Sequence, residues 1–143
     1  AYVDELTGLM GRWQIIQEVA PKIVCDTGHN VAGIEYIVEQ LKNEKCQTLH
    51  IVLGMVNDKD ITTVLTLLPK KAIYYFTKAS IPRAMNEMKL QQLAQKQGLT
   101  GYSYPTVKEA VFAAKDWAIS SDFVFIGGSN FVVAEALEAL GYE

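Results

Sequence analysis

An apolar run gives way to small polar residues and then resumes with helical spacing in the stretch Lys22-Ile23-Val24-Cys25-Asp26-Thr27-Gly28-His29-Asn30-Val31-Ala32-Gly33. This pattern predicts a strand, a tight turn and the start of a helix. In an open α/β sheet, ligands collect where the carboxyl end of a strand meets a helix N-terminus, because the N–H groups there favour anions. Asp26 and His29 are predicted to stand at that edge. A polar residue after a strand is also typical of a simple helix N-cap, so both interpretations stay open at this point.

Strand and helix patterns alternate along the rest of the chain. The predicted strands cover residues 13–18, 23–25, 49–54, 72–76, 102–104 and 122–126. The predicted helices cover residues 31–41, 61–68, 86–97, 106–118 and 132–140. Such alternation predicts an α/β fold, a Rossmann-like three-layer sandwich whose sheet has about six strands, mostly parallel, with one antiparallel strand near the start.

The size and charge of the chain limit what it can be. Its 143 residues fit one domain with a single hydrophobic core. The formal net charge is -3, and a mildly acidic domain has no electrostatic attraction for nucleic acid. No apolar run approaches the roughly 20 residues that a membrane-spanning helix needs. Because the two cysteines also lack a metal or redox spacing, we expect a cytoplasmic protein that binds neither nucleic acid nor membrane.

Four loops follow the predicted parallel strands, and a parallel sheet brings such loops to one edge. They cover residues 26–30, 54–60, 77–83 and 127–130. The helix N-termini, glycines and basic side chains along this edge suit anions such as phosphates or carboxylates. The loops hold no nucleophile with an adjacent base, so the pattern favours binding and positioning over covalent catalysis.

Several phosphate-handling classes are disfavoured because their motifs are missing. Dehalogenase-type phosphatases need a second Asp two residues after the first, and Gly28 occupies that position here. Receiver domains need a Lys at a late strand end, where this chain has Gly127-Gly128. The sequence contains neither the Gly-x-x-x-x-Gly-Lys-Ser/Thr phosphate loop nor the Gly-x-Gly-x-x-Gly motif of dinucleotide-binding domains.

Four motifs, taken together and in order, resemble those of a known family. They are Gly11-Arg12, Asp26-Thr27-Gly28-His29-Asn30, Gly54 with Asn57-Asp58-Lys59-Asp60, and Gly127-Gly128-Ser129-Asn130-Phe131. They resemble the C-terminal domain of folylpolyglutamate synthase and dihydrofolate synthase, in the Mur ligase superfamily of ATP-dependent amide ligases. The family form of the central motif is Asp-Gly-Ala-His-Asn-Pro, preceded by Pro-Gly-Arg. This chain differs from it at Met10, Thr27, Gly28 and Val31.

The resemblance implies a parent enzyme in three parts. Residues 1–10 would be a linker from an N-terminal and central ATPase region, and residues 11–143 the C-terminal glutamate-ligase domain. Such enzymes use MgATP to convert the terminal carboxylate of a folate to an acyl phosphate, which the amine of L-glutamate then attacks. The expected partners are the central ATPase domain of the same polypeptide, the folate and L-glutamate. The magnesium ligands and the phosphate loop would belong to the central domain, so this domain alone is expected to be inactive.

The resemblance also implies contacts with ATP. Arg12 would place its cation on the phosphates, and Asp26 would form a hydrogen bond with the ribose. His29 would lie near the ribose and the phosphates. No residue of this domain alone is expected to be catalytic or to bind metal.

Four further residues receive roles by position. Lys59 and Ser129 are the candidates for holding the carboxylates of glutamate, because one offers a charge and the other opens a helix. Asn30 is expected to organise the turn, and Arg83 is a further candidate that faces the same edge.

Structural roles compete with some of these assignments, and two rival functions stay open. An Arg in a linker is usually solvated, as Arg12 would then be. Residues 58–60 are also typical of a solvated helix cap, with Asp60 at the N-cap. His50 lies inside an apolar strand and is predicted to be a satisfied structural histidine. The rival functions are another Mur-type ligase, acting on cell-wall precursors, and a stand-alone anion-binding α/β regulatory module.

Overall fold

Strands and helices alternate through residues 12–142, the part of the chain that the computed structural model describes. The strands are β1 (Gln14–Gln17), β2 (Lys22–Asp26), β3 (Leu49–Gly54), β4 (Ile73–Thr77), β5 (Thr100–Ser103) and β6 (Phe123–Gly127). The helices are α1 (Val31–Lys42), α2 (Ile61–Leu67), α3 (Glu87–Lys96), α4 (Val107–Trp117) and α5 (Asn130–Ala139). None of these helices combines the length and apolarity needed to cross a membrane. The predicted linker over residues 1–10, together with Gly11, lies outside the described residues.

All six strands form one sheet in the order β1-β2-β6-β3-β4-β5. β1 pairs antiparallel with β2 at one side of the sheet, and the remaining pairs are parallel. Helices α1, α2 and α3 cover one face of the sheet, while α4 and α5 cover the other. The predicted Rossmann-like three-layer fold, with its mostly parallel sheet and one antiparallel strand, is confirmed.

The central strands are apolar along their length because helices cover both faces. Successive side chains of a strand point to opposite faces. In β3, Ile51 and Leu53 therefore pack against the α1, α2 and α3 layer, whereas Val52 packs against α4 and α5. This is the burial that a continuous apolar run predicts for a parallel strand.

Two local expectations need correction. β5 covers Thr100–Ser103 rather than residues 102–104, because its extent is set by pairing with residues 73–76 of β4 and not by its own composition. Asp60 precedes α2, but its side chain makes no capping hydrogen bond. Its ψ of 8° is far from the extended backbone that capping requires. Its N–H instead donates to Asp58 Oδ1 at 2.9 Å.

The register of the parallel strands places four carboxyl ends at one edge of the sheet. Asp26 and Leu53 both pair with Gly127, and Gly54 pairs with Thr77. The four loops that the sequence assigned to this edge therefore all begin there, as predicted. Neighbouring strands lie about 4.8 Å apart, so Thr77 is roughly 14 Å from Asp26 along the edge.

A buried polar network lies toward the opposite edge, near the amino ends of the strands. His50 Nδ1 is 2.8 Å from the Tyr75 hydroxyl, and His50 Nε2 is 2.8 Å from Asp122 Oδ2. The Asp122 carboxylate also accepts hydrogen bonds from the backbone N–H groups of Thr48 and Ile119, both at 3.1 Å. Burial by itself raises the pKa of Asp122, but the hydrogen bonds, that of His50 foremost, outweigh burial and hold the pKa below its ordinary value. His50 is thus a satisfied structural histidine, as predicted.

Asp122→Asn is expected to lower the free energy of unfolding by about 1–3 kcal/mol at neutral pH, because one buried donor loses its acceptor. The folded-state pKa of Asp122 is depressed, so its contribution is present above the unfolded-state pKa near 4 and is lost as the pH falls through the folded-state pKa. The difference between the variant and the wild type should therefore shrink in acid. Chemical denaturation from neutral pH down to about pH 2 measures it.

Asp116→Asn is the matched control, because Asp116 on α4 is exposed and undergoes the same chemical change. Its effect should stay within about 0.5 kcal/mol. Equal losses in the two variants, or a loss in Asp122→Asn that persists in acid, would contradict the role given to Asp122.

Candidate functional site

A buried carboxylate, that of Asp26, stands at the end of β2 and joins two segments of the chain. The residue is 0% exposed. Its Oδ1 accepts a hydrogen bond from the backbone N–H of Gly28, and its Oδ2 accepts one from the backbone N–H of Trp13, both at 2.8 Å. Trp13 belongs to the segment that enters β1, and Gly28 belongs to the loop before α1. One side chain therefore holds both segments in place.

Competing effects set the ionisation of Asp26. Burial raises its pKa above the ordinary value, although the hydrogen bonds from Gly28 and Trp13 and the charge of Arg12 all lower it. The ionised carboxylate is poorly solvated and depends on these donors. Because the folded-state pKa is raised, ionisation of Asp26 reduces stability as the pH rises through that pKa.

Trp13 is held in a backbone conformation that residues other than glycine rarely adopt, with a φ of 47°. Its ring stacks on Phe123 and Phe125, with centroid distances of 6.0 Å to each. This packing and the hydrogen bond to Asp26 together offset the cost of the conformation. They also fix the point from which the neighbouring Arg12 side chain extends.

The loop before α1 ends in a capped helix. Asn30 has extended backbone and is the N-cap of α1, and its Oδ1 accepts a hydrogen bond from the Gly33 N–H at 2.8 Å. The turn is closely packed at Gly28, because a Cβ there would lie 3.0 Å from the terminal methyl of Ile37 and 3.1 Å from the Gly33 carbonyl oxygen. The prediction that Asn30 organises the turn agrees with this geometry.

His29 and Arg12 carry exposed polar side chains beside this loop. His29 Nδ1 lies 3.2 Å from the carbonyl oxygen of Thr27. That oxygen can only accept, so Nδ1 donates and Nε2 is the ring atom available to a ligand. Arg12 is half exposed, its Nε lies 4.0 Å from Asp26 Oδ1, and its Cζ lies 5.1 Å from the ring centroid of Tyr36 on α1.

Arg12 and the loop enclose an open groove of about 320 Å³ at the N-terminus of α1. Its lining residues are Arg12, Thr27, Gly28, His29, Asn30, Ala32 and Gly33. A guanidinium and a helix N-terminus both favour negative charge, so the groove suits a phosphate or a carboxylate. Among the described residues, no group of three or more His, Cys, Asp or Glu side chains is arranged to hold a metal ion.

The other predicted site residues follow neighbouring strands and do not line this groove. Ser129, after β6, is buried, and its Oγ caps α5 by accepting the N–H groups of Phe131 and Val132 at 3.1 and 3.2 Å. Lys59 is exposed in the loop between β3 and α2, and Arg83 is exposed in the loop between β4 and α3. The structure thus brings Arg12, Asp26, His29 and Asn30 together and places the remaining three farther along the edge.

The loops that carry Lys59 and Arg83 are tied to each other. The backbone N–H and the side-chain Nδ2 of Asn57 donate to the Arg83 carbonyl oxygen, at 3.1 and 3.3 Å. Between these loops and the groove lies the turn after β6, where Gly128 has a φ of 101° and a Cβ would collide with the Gly54 carbonyl oxygen. All three loops are therefore closely fitted to one another.

Two residues that support the groove are missed by the sequence analysis. The Trp13 backbone N–H donates to Asp26, a contact that no motif in the sequence indicates, while the Trp13 ring stacks on Phe123. Tyr36 lies off the apolar stripe of α1, and no local pattern links it to Arg12. Their contact joins residues 24 positions apart in the chain, with Arg12 Cζ 5.1 Å from the ring centroid of Tyr36.

Residues 11–130 match the family described as the glutamate ligase domain of Mur ligases. The chain is also similar to the dihydrofolate synthase/folylpolyglutamate synthase of Buchnera aphidicola, with 28% identity over 131 residues. That match covers 89% of this chain and 30% of the Buchnera protein.

Solved structures share the fold. The structure of E. coli FolC in complex with DHPP and ADP has a TM-score of 0.84 and 30% identity, and the match covers 92% of this chain and 31% of that one. A bifunctional folylpolyglutamate synthase/dihydrofolate synthase with Mn, AMPPNP and L-glutamate bound has a TM-score of 0.82 and 28% identity, over 92% of this chain and 32% of that one. The chain thus spans about a third of the length of these relatives.

Asn30→Ala is expected to lower the free energy of unfolding by about 1 kcal/mol, because the Gly33 N–H loses its acceptor. The loop that lines the groove should also loosen, so amide hydrogen exchange at Gly28 and Gly33 should accelerate. Chemical denaturation and native-state hydrogen exchange measure the two effects.

Asn86→Ala provides the matched control, because Asn86 caps α3 by accepting the N–H groups of Met88 and Lys89 at 2.9 and 3.1 Å. It should lose similar stability without changing exchange at Gly28 and Gly33. Equal acceleration of amide exchange at Gly28 and Gly33 in both variants would show that the Asn30 cap does not specifically stabilise the loop that lines the groove.

Proposed function

The chain belongs to the family of Mur ligase glutamate ligase domains, and from this premise we propose that it is the C-terminal domain of an ATP-dependent ligase that adds L-glutamate to folates. The full protein would be a folylpolyglutamate synthase, with or without dihydrofolate synthase activity. The Buchnera protein, which carries both of those names, supports this assignment. The parts of the enzyme beyond this chain would include the central ATPase domain, its partner in the same polypeptide.

The groove is the observation that carries the proposal, because Arg12, His29 and the N-terminus of α1 come together there. We assign it to the phosphates of ATP. Arg12 would offset the negative charge that develops during phosphoryl transfer, and its charge is permanent. His29 Nε2 would contact the ribose or the phosphates. The ADP bound to E. coli FolC and the AMPPNP bound to a related bifunctional synthase support a nucleotide site in such enzymes.

Asp26 is proposed to act by positioning. The family resemblance implies a hydrogen bond from its carboxylate to the ribose. That carboxylate is fully buried and already accepts two backbone N–H groups. In this proposal it instead holds Arg12 and the loop before α1 where the nucleotide can reach them.

The proposed reaction has two steps. A terminal carboxylate oxygen of the folate attacks the γ-phosphorus of ATP, the bond to the departing ADP oxygen breaks, and an acyl phosphate forms. The amine nitrogen of L-glutamate then attacks the acyl carbon. The bond to the phosphate oxygen breaks, and inorganic phosphate and a proton leave as the amide forms. The residues of this chain would orient the reactants and neutralise charge without forming covalent bonds.

L-Glutamate is proposed to bind farther along the same edge. Lys59 would offer a cation to one carboxylate, and Ser129 lies at the N-terminus of α5. Arg83 is the third candidate, on the loop tied to that of Lys59. The related synthase with Mn, AMPPNP and L-glutamate bound supports a glutamate site and a divalent metal in such enzymes. The magnesium ligands stay a prediction about the central domain, and the cytoplasmic location stays a prediction as well.

Arg12→Ala in the full-length protein is expected to lower kcat/KM for ATP by about 10- to 100-fold, because a charge-assisted hydrogen bond contributes about 1.5–3 kcal/mol. The measurement is phosphate release with ATP, tetrahydrofolate and L-glutamate. Lys89→Ala serves as the control, because it removes an exposed cation from α3 and leaves the groove intact. An unchanged kcat/KM in Arg12→Ala would count against a phosphate site in the groove.

The same assay separates the folate ligase from the two rival functions. Glutamate-dependent turnover with a folate acceptor supports the proposal. Turnover only with nucleotide-linked peptides would identify a Mur-type ligase of cell-wall synthesis. Binding of phosphate by the groove with no turnover on either acceptor would identify the anion-binding regulatory module.

The chain by itself, without the ATPase domain, is expected to be catalytically silent. One wall of a cleft supplies only part of the converging groups that lower the barrier. Phosphate release that depends on glutamate is compared between this chain and the full-length protein at equal concentration. Turnover by the chain alone would show that the active site is not divided between two domains.

A further inference from the structure

We propose that Tyr36 is a positioning residue whose ring holds the guanidinium of Arg12 at the groove. The inference rests on the proposed function, because it describes how Arg12 is kept in place for the phosphates of ATP. It adds to the site a residue of α1 that lies outside the four motifs and the groove lining.

Among the residues that the structure describes, Asp26 and Tyr36 lie close to the Arg12 guanidinium group. Its Nε lies 4.0 Å from Asp26 Oδ1, and its Cζ lies 5.1 Å from the ring centroid of Tyr36. That second distance is within the ~6 Å at which the negative face of an aromatic ring attracts a cation. Half of the Arg12 side chain stays exposed. The two contacts therefore restrict the guanidinium and still leave it surface with which to bind an anion.

Tyr36 is not needed to build the core. The buried residues of α1 are Ile34, Ile37 and Leu41, whereas Tyr36 is 39% exposed. Substitutions at such surface positions usually change the free energy of unfolding only slightly. The effect of replacing the ring can thus be measured in a folded protein.

The position of Tyr36 on α1 makes it suited to this role. The same helix lines the groove with its N-terminus, so the ring is fixed relative to the loop that would bind the phosphates. Arg12 comes from a different segment, and a long side chain loses rotamer freedom when a ligand immobilises it. By restricting Arg12 beforehand, the ring lowers the entropy that is lost when the nucleotide binds.

Steady-state kinetics of the full-length protein test the proposal with Tyr36→Leu, Tyr36→Phe, Arg12→Ala and the double variant Arg12→Ala/Tyr36→Leu. Tyr36→Leu is expected to lower kcat/KM for ATP by about two- to fivefold, with the KM for L-glutamate unchanged. Tyr36→Phe keeps the face of the ring and should match the wild type. In the Arg12→Ala background, Tyr36→Leu should cause no further loss, because a residue that acts only through Arg12 then has nothing to position.

Phe112→Leu is the matched control, because Phe112 is an aromatic residue of similar exposure, 38% against 39%, on α4 at the other face of the sheet. It should leave kcat/KM for ATP unchanged. Wild-type kinetics in Tyr36→Leu, an equal loss in Phe112→Leu, or a further loss in the double variant would each overturn the role of Tyr36. If only Arg12→Ala is impaired, the Tyr36 role fails and the phosphate site stands. If Arg12→Ala is also unimpaired, both fail.

Discussion

Burial of the Asp26 carboxylate is the constraint on which the candidate site depends. A carboxylate removed from water needs hydrogen-bond donors, and this one takes the N–H groups of Trp13 and Gly28 with the charge of Arg12 nearby. Satisfying it draws the segment before β1 against the loop before α1, and the groove is the space between them. Its pKa is raised by burial in spite of these donors, so the loss of any donor would leave an ionised group poorly compensated.

The polar groups at the two ends of the parallel strands differ in their roles. Toward the amino ends, His50, Tyr75 and Asp122 satisfy one another in a buried network that stabilises the fold. At the carboxyl ends, glycines and helix N-termini present polar backbone groups that a ligand can use. Parallel pairing causes this division, because every strand-to-helix loop leaves from the same edge. The groove at the N-terminus of α1 lies at this edge.

Most of the fold could be predicted because its signals are local. The apolar run at residues 49–54 predicted β3 with its observed bounds, and the helical pattern over residues 86–97 predicted α3 to within a residue of each end. The predictions were wrong where contacts with another part of the chain set the bounds of a strand or the backbone angles of a residue. β5 begins at Thr100 because β4 pairs with it there. Asp60 occupies a cap position without capping, because its backbone angles follow the preceding turn.

The amino-acid sequence alone predicted the three-layer α/β fold, the edge where the polar loops gather and, through its four motifs, the family. Each of these features depends on short patterns, within each of which the residues are close together in the chain. The tertiary structure establishes how the candidate site is arranged: Arg12 and His29 line the groove, whereas Asp26 is buried and accepts the backbone N–H groups of Trp13 and Gly28. It also brought Tyr36 against Arg12. Such contacts join segments that meet only through strand pairing and helix packing, so no local pattern specifies them.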